Sequence, residues 1–264
     1  LSNNHHGQSI SESRFWNGLW KTYANSPSIA LCRVPELEYA STLSLQGTTL
    51  DHCCGDGLFA RLGWPAAKFS AGCDLNEVAL KDAVRLGKHE RLDLCDAGRH
   101  LPYPDEHFDL VFDNSAIEHI PDLQQNLREI ARVLKPQGSF AFNVLNHRYF
   151  EWWPMDRNSM QEYREWQPFY HALSAEQWRH ELSAVGLEIH DLRGYFNREA
   201  ASTLALLDYE FSGYHIRRRP SRLVSDYKSL LGGEKRKWRR RISELSWLTE
   251  PDAGAGYFIT ARRS

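Results

Sequence analysis

Leu50-Asp51-His52-Cys53-Cys54-Gly55-Asp56-Gly57-Leu58-Phe59-Ala60 joins a short apolar strand to a helix through a turn that carries two glycines. Glycine takes positive φ without a Cβ clash, so Gly55 and Gly57 let backbone N–H groups come close to a ligand at a helix start. Two acids downstream give the turn its meaning. Asp74 ends the next strand-like run, Phe69 to Cys73, and Asp96 ends the one after, Arg91 to Cys95. An acid at the tip of the second strand can accept both hydroxyls of a ribose. A glycine turn followed by acids at two successive strand tips reads as a nucleoside site.

Outward from this turn the pattern alternates. Strands are expected at 48–53, 69–74, 91–95, 108–114 and 139–145, with helices at 57–62, 76–86 and 121–134, the last stopped by Lys135-Pro136-Gln137-Gly138. Such alternation implies βαβ units, a mostly parallel sheet and right-handed crossovers. Before it, Phe15, Trp16, Leu19, Trp20 and Tyr23 recur at helical spacing and make either a lid or a helix packed on the sheet edge. Ser26-Pro27 breaks that pattern, and a second helix is expected to open at Val34-Pro35-Glu36 and run to Gln46-Gly47. His5-His6 is too short to be a tag or a metal site. After 145, Ser174-Ala175-Glu176-Gln177 resembles a capping box and opens a helix to Val185, and 187–196 alternates as a further strand.

Leu50 to Gly57 resembles motif I of the class I S-adenosylmethionine-dependent methyltransferases. Asp74, Asp96, Leu101-Pro102-Tyr103-Pro104-Asp105, Phe108-Asp109-Leu110-Val111 and Glu118-His119-Ile120 follow in the order of the type 11, UbiE/UbiG-like group. The resemblance covers roughly residues 48–145. It implies an α/β, Rossmann-like, doubly wound seven-stranded sheet, with N-terminal helices and a helical insertion before an antiparallel last strand, 256–262, inside the sheet edge. It also implies S-adenosylmethionine as cofactor and S-adenosylhomocysteine as product. Asp51 and the Gly55–Gly57 turn would hold the methionine portion, Asp74 with Leu75 the ribose side, Asp96 with the Ala97 N–H the adenine, and Asn114 the amino-acid end. Cys53 departs from the motif, which has its first glycine there. If that position needs positive φ, the cysteine costs ~1 kcal/mol.

Composition narrows the class further. The 264 residues carry 32 Lys and Arg against 34 Asp and Glu, so no polyelectrolyte partner is implied for the chain as a whole. Cys32, Cys53, Cys54, Cys73 and Cys95 show no CxxC pair; they suit core packing in a reducing compartment. No run approaches the ~20 apolar residues of a membrane span, and the first residues lack a signal-peptide pattern, so a cytoplasmic protein is expected. The expected organisation is a helical cap at 1–47, a cofactor-binding core at 48–196 with an aromatic substrate segment at 146–171, a helical and basic insertion at 197–255, and the last strand at 256–264.

Methyl transfer needs a nucleophile in line and control of its proton. Glu118 and His119 lie just past the 108–114 strand, where an acceptor would enter, and a histidine can serve as general base near neutral pH. Packing or hydrogen bonding is the other role open to that pair. His147 and His171 are further base candidates. Some related quinone methyltransferases place an acid three residues before Glu118 to hold a metal; here that residue is Ser115, and no metal is expected. Trp152, Trp153, Trp166 and Tyr170 could stack an acceptor or cover the sheet. Arg217–Arg222 and Lys235–Arg241 are basic clusters, read either as a site for an anionic ligand or as solvated helix faces, with Glu234 and Glu244 offsetting the second. The expected activity is methyl transfer to a small-molecule or saccharide acceptor at oxygen. The alternatives are an RNA methyltransferase using the basic insertion and a non-catalytic cofactor-binding protein. Oligomeric state is not legible from the sequence.

Overall fold

The computed structural model of the chain describes residues 8–229, 232–250 and 252–264; His5 and His6 lie outside them. In chain order the helices are α1 (Trp16–Thr22), α2 (Pro27–Ala40), α3 (Leu58–Gly63), α4 (Glu77–Leu86), α5 (Leu123–Val133), α6 (His147–Glu151), α7 (Arg157–Trp166), α8 (Ala175–Ser183), α9 (Arg198–Ile216), α10 (Arg222–Lys228) and α11 (Gly233–Glu244). The strands are β1 (Thr49–His52), β2 (Phe69–Asp74), β3 (His89–Leu94), β4 (Phe108–Asn114), β5 (Leu134–Leu145), β6 (Leu187–Tyr195) and β7 (Gly256–Arg263). The chain forms two compact units. The described residues of 1–38, His147–Pro168 and Gly194–Gly256 make a mainly helical unit, and Tyr39–Asn146, Phe169–Arg193 and Tyr257–Ser264 make a unit that holds most of the sheet.

In the sheet unit the strand order is β3-β2-β1-β4-β5-β7-β6, and the pairs β3/β2, β2/β1, β1/β4 and β4/β5 are parallel. The order reverses at β1, as the expected doubly wound sheet requires, and β7 lies inside the edge between β5 and β6. All four residues of β1 are buried, which suits a central strand covered on both faces. Leu50, Val111, Phe140 and Phe142 form one core with Leu127 and Ile130 of α5 and Trp178 of α8. Helix ends are set locally. Asn76 caps α4 by accepting from Val78 and Ala79, Gly87 ends it in the left-handed region, and Ser174 with Gln177 forms the expected capping box of α8.

Three expected elements shift their boundaries. α2 starts at Pro27, not near Pro35, and ends at Ala40, not at Gln46-Gly47. A proline at the first helical position loses no helix hydrogen bond, so Pro27 opens the helix it was expected to break, and Pro35 is absorbed in its interior. β5 begins at Leu134, which pairs with Phe108, while Ser139 pairs with Leu110. The Lys135–Gly138 stop is thus an outward bulge within a strand, with Gln137 at φ 65°. β3 starts at His89, two residues before the expected Arg91, because His89 is a buried side chain and not a loop residue. In the helical unit, Trp16 and Trp20 pack at 5.3 Å, and Trp20 meets Tyr227 of α10 edge-on.

Arg132 of α5 ties down the segment before β4. Its guanidinium donates to the carbonyls of Leu101 and Tyr103 and to Glu129, whose carboxylate also accepts the Leu101 N–H at 2.8 Å. The Arg132 hydrogen bonds, then that of Leu101, hold the Glu129 carboxyl down to about 2 against its ordinary 4.5. A folded-state pKa below the unfolded one adds stability above the ordinary carboxylate range and loses it as pH falls toward about 2. Glu129→Gln should cost ~1–3 kcal/mol at pH 7. Thermal melts of both proteins should converge as the pH is lowered through that window; a gap independent of pH would contradict this.

Candidate functional site

The turn between β1 and α3 carries three left-handed residues in alternation: Cys53 at φ 53°, Gly55 at 55° and Gly57 at 74°. Cys53 does need the conformation that favours glycine, and it pays the expected strain. Gly55 has open space where a Cβ would point, whereas a Cβ on Gly57 would press on Ala83 and His89 at 3.3 Å. Gly57 is therefore required for close packing of turn against α4, and Gly55 leaves the backbone accessible. The Cys54 N–H donates to the Cys73 carbonyl, which fastens the turn to β2. Burial pushes the Cys53 and Cys54 thiols up, so both stay protonated.

Asp74 completes the turn. One carboxylate oxygen accepts the Gly55 N–H at 2.8 Å and the other accepts the Asn76 N–H at 2.8 Å. The cap of α4 is supplied by Asn76, which leaves Asp74 at the turn. Leu75, next to it, is 69% exposed, an apolar surface at the strand tip. Asp96 follows β3, accepts the Gly98 N–H at 3.1 Å and pairs with exposed Arg99. Ala97 is buried, and its carbonyl accepts from Asn126 at 2.7 Å. At the tip of β4, Asn114 accepts from Asn143, and Asn143 accepts from the N–H of left-handed Ser115 at 2.7 Å. The glycine turn and the strand-tip acids thus meet at the carboxyl edge of β1, β2 and β3, where an open α/β sheet takes ligands. A glycine turn whose backbone is open at Gly55, beside carboxylates at two strand tips, fits the methionine, ribose and adenine parts of S-adenosylmethionine.

Two buried histidine–aspartate pairs lie behind this edge. Asp51 meets His89 Nε2 at 2.8 Å, and His52 Nδ1 meets Asp113 at 2.7 Å. Adjacent residues on a strand point to opposite faces, so the pairs sit on the two sides of β1. Burial raises the Asp51 pKa, opposed by the His89 hydrogen bond. Asp51 with Cys54 and His89, and His52 with Cys53 and Asp113, have the residue types of metal sites. In the second set both ring nitrogens of His52 are already engaged, by Asp113 and Asn126. Sequence reasoning missed His52, His89, Asp113 and Asn126. Asn126 carried a signal: it interrupts the apolar stripe Leu123, Leu127, Ile130, Val133 of α5 at a position that must be buried.

Past β4 in the same unit, Glu118 is buried and its carbonyl accepts the N–H groups of Tyr170 and His171. The His119 ring lies 4.5 Å from Phe169, centre to centre. His171 Nε2 donates to the carbonyls of Ile120 and Pro121, which makes it a brace for this turn. Tyr170 is 53% exposed. The other candidates lie in the helical unit. His147 opens α6, with Nε2 3.8 Å from Glu151. Trp153 donates to Ser159 and packs with Tyr163, Trp166 stacks on Tyr209 at 5.2 Å, and Arg198 approaches the Trp152 ring. Of the basic clusters, Arg219 lies over Tyr209, Lys237 pairs with Glu234, and Arg239 donates to Asn17. Among the described residues, no helix is long and apolar enough to cross a membrane.

Residues 50–142 match the family Methyltransf_11, a methyltransferase domain. The chain is 30% identical over 179 residues to a Mycolicibacterium smegmatis protein named "Probable S-adenosylmethionine-dependent methyltransferase", covering 67% of this chain and 65% of the relative. It is 24% identical over 135 residues to a ubiquinone biosynthesis O-methyltransferase of Coxiella burnetii, covering 49% of this chain and 58% of the relative. It thus spans less than two thirds of the length of either. The crystal structure of geranyl diphosphate C-methyltransferase from Streptomyces coelicolor A3(2), with Mg2+, geranyl diphosphate and S-adenosylhomocysteine bound, is similar in fold, with a TM-score of 0.54 and 15% identity over 89% of this chain and 79% of that one. Residues 50–142 thus carry a methyltransferase domain of the type 11 group, and the sheet order is that of the class I methyltransferase fold.

Proposed function

We propose that the protein binds S-adenosylmethionine at the carboxyl edge of β1, β2 and β3 and transfers its methyl group to an oxygen of a small-molecule or saccharide acceptor. The observation that carries this is the alternating left-handed turn with the Gly55 N–H on the Asp74 carboxylate. Asp51, Cys53, Gly55 and Gly57 take the methionine portion, Asp74 and Leu75 the ribose side, Asp96 and Ala97 the adenine, and Asn114 the amino-acid end. The cofactor supplies a methyl group already activated on a sulfonium sulfur. Transfer to an acceptor O–H forms the O–CH3 bond, yields S-adenosylhomocysteine and leaves one proton to be taken up.

His119 is the residue we assign to that proton. Its turn is held from below by the Asp113 carboxylate, which accepts the Ala116 and Ile117 N–H groups, and from the side by His171. Glu118, buried beside it, supports the turn through its carbonyl. Tyr170 is the exposed aromatic of this unit suited to contact the acceptor. Trp152, Trp153, Trp166 and His147 remain assigned to the acceptor side on sequence grounds. α11 offers an anionic ligand a shallow groove of about 410 Å³ lined by Lys237, Trp238, Arg240 and Arg241, with Glu234 and Glu244 at its ends. The similarity to a ubiquinone biosynthesis O-methyltransferase supports oxygen as the acceptor atom.

Calorimetric titration with S-adenosylhomocysteine tests the donor half. Asp74→Ala should weaken binding ~10-fold or more, by removing the carboxylate that faces both the turn and the ribose. Cys53→Gly should bind as well as the natural chain or better, because it removes strain at φ 53°. Failure of the purified protein to bind either the cofactor or its demethylated product at any attainable concentration would overturn the proposal. For the acceptor half, His119→Ala should lower kcat ~10²-fold or more while leaving S-adenosylhomocysteine affinity unchanged; a kcat equal to that of the natural chain would remove His119 as base.

A further inference from the structure

His52, Asp113 and Asn126 form a buried relay, of which the proposed reaction uses only Asp113, as a brace for the turn of His119. All three side chains are fully buried. His52 Nδ1 lies 2.7 Å from Asp113 Oδ2, Asn126 Nδ2 lies 3.0 Å from His52 Nε2, and the same Nδ2 lies 2.7 Å from the Ala97 carbonyl oxygen. The protons can be placed by elimination. A carboxylate only accepts, so His52 Nδ1 carries the ring proton and Nε2 presents its lone pair. That lone pair needs a donor, and the Asn126 amide has two N–H bonds: one goes to His52 and the other to the Ala97 carbonyl. The opposite amide orientation would set its oxygen against the Ala97 carbonyl. The other oxygen of Asp113 accepts the N–H groups of Ala116 and Ile117, each at 3.2 Å.

We propose that His52 and Asn126 are positioning residues that fix the Ala97 backbone, so that recognition of the adenine ring is set by side chains that never touch the donor. This rests on the assignment of Asp96 and Ala97 to the adenine. A base is told from its analogue by hydrogen bonds to its edge, and these act only while the protein groups hold their place. β3 ends at Leu94, and the backbone beyond it is held by the Cys95 N–H on the Asp74 carbonyl and by the Arg99 and His100 N–H groups on the Asp96 carbonyl, none of which fixes the Ala97 carbonyl. The Asn126 amide supplies that restraint from α5. Because Asp113 braces the 116–117 backbone through its second oxygen, the relay also holds the turn that carries His119 in register with the adenine segment.

Three ligands separate this from a role in stability alone: S-adenosylhomocysteine, its deaminated hypoxanthine counterpart, and S-ribosylhomocysteine, which has no base. The natural protein should prefer the adenine ligand over the hypoxanthine ligand by about tenfold or more. In Asn126→Leu that ratio should fall to about 1–3, while S-ribosylhomocysteine binds as before. Where Asn126→Leu does not fold, Asn126→Ser, whose hydroxyl is too short to span His52 and Ala97, decides in its place. His52→Gln can still donate to Asp113 and accept from Asn126, and it should keep most of the discrimination. An unchanged ratio in a folded Asn126 variant, an equal loss for all three ligands, or a natural-chain ratio near 1 would overturn the inference. A natural chain that binds none of the three would instead overturn the donor-site assignment.

Discussion

The Gly55 N–H donates to the Asp74 carboxylate across the tips of two neighbouring strands, and the candidate site depends on that contact. The turn it fixes is not one the backbone would choose. Three of its residues occupy the left-handed region, and one is a cysteine, for which that region costs ~1 kcal/mol. The carboxylate of β2 and the Cys73 carbonyl supply acceptors from outside the turn, so its N–H groups are satisfied without returning to a regular helix start. Parallel pairing of β1 with β2 brings those acceptors to the right height, since His52 sits opposite Cys73. Sheet register and turn conformation are thus one constraint.

A second constraint comes from charge in the interior. β1 carries Asp51 and His52 in succession, both buried, one on each face. A buried carboxylate is costly unless it is paired and hydrogen-bonded, so each face requires its own partner: His89 from β3 for Asp51, and Asp113 from β4 for His52. These partners tie β1 to β3, across β2, and to its neighbour β4 at the carboxyl end of the strand. An apolar pair would have packed as well, but it could not have handed a hydrogen bond on to Asn126 and through it to the Ala97 carbonyl. Polar groups in this core are justified by what they orient.

Fold and family leave the acceptor open. The family match ends at residue 142, and a protein of similar fold adds its methyl group to carbon on a geranyl diphosphate. Much of what distinguishes this chain therefore lies in residues that follow: the aromatic packing around Trp153, Tyr163 and Tyr209, and the basic α11. The helical unit also buries Glu36 against Arg33 and hydrogen-bonds Tyr163 to Asp208 at 2.5 Å. Those side chains are polar, and Glu36 and Tyr163 among them are fully buried.

By itself the sequence determined the alternation of strands and helices, the glycine turn, the strand-tip acids Asp74 and Asp96, and the place of Cys53 where a glycine was expected; its positive φ came from the structure. Each is a local property: side-chain periodicity, a missing Cβ, or an acid at the end of an apolar run. Where it misplaced boundaries, the local signal was ambiguous. Pro27 can break a helix or open one, and Lys135–Gly138 can end an element or bulge out of it. Only the tertiary structure decided that His89 belongs to Asp51, that His52 belongs to Asp113 and Asn126, and that the α4 cap falls to Asn76 so that Asp74 is left to hold the turn. These partners lie as far apart along the chain as 38 to 74 residues, and no local propensity records which buried polar group will face which. Strand order and register settle that, because they alone fix which side chains share an enclosed volume and must satisfy one another.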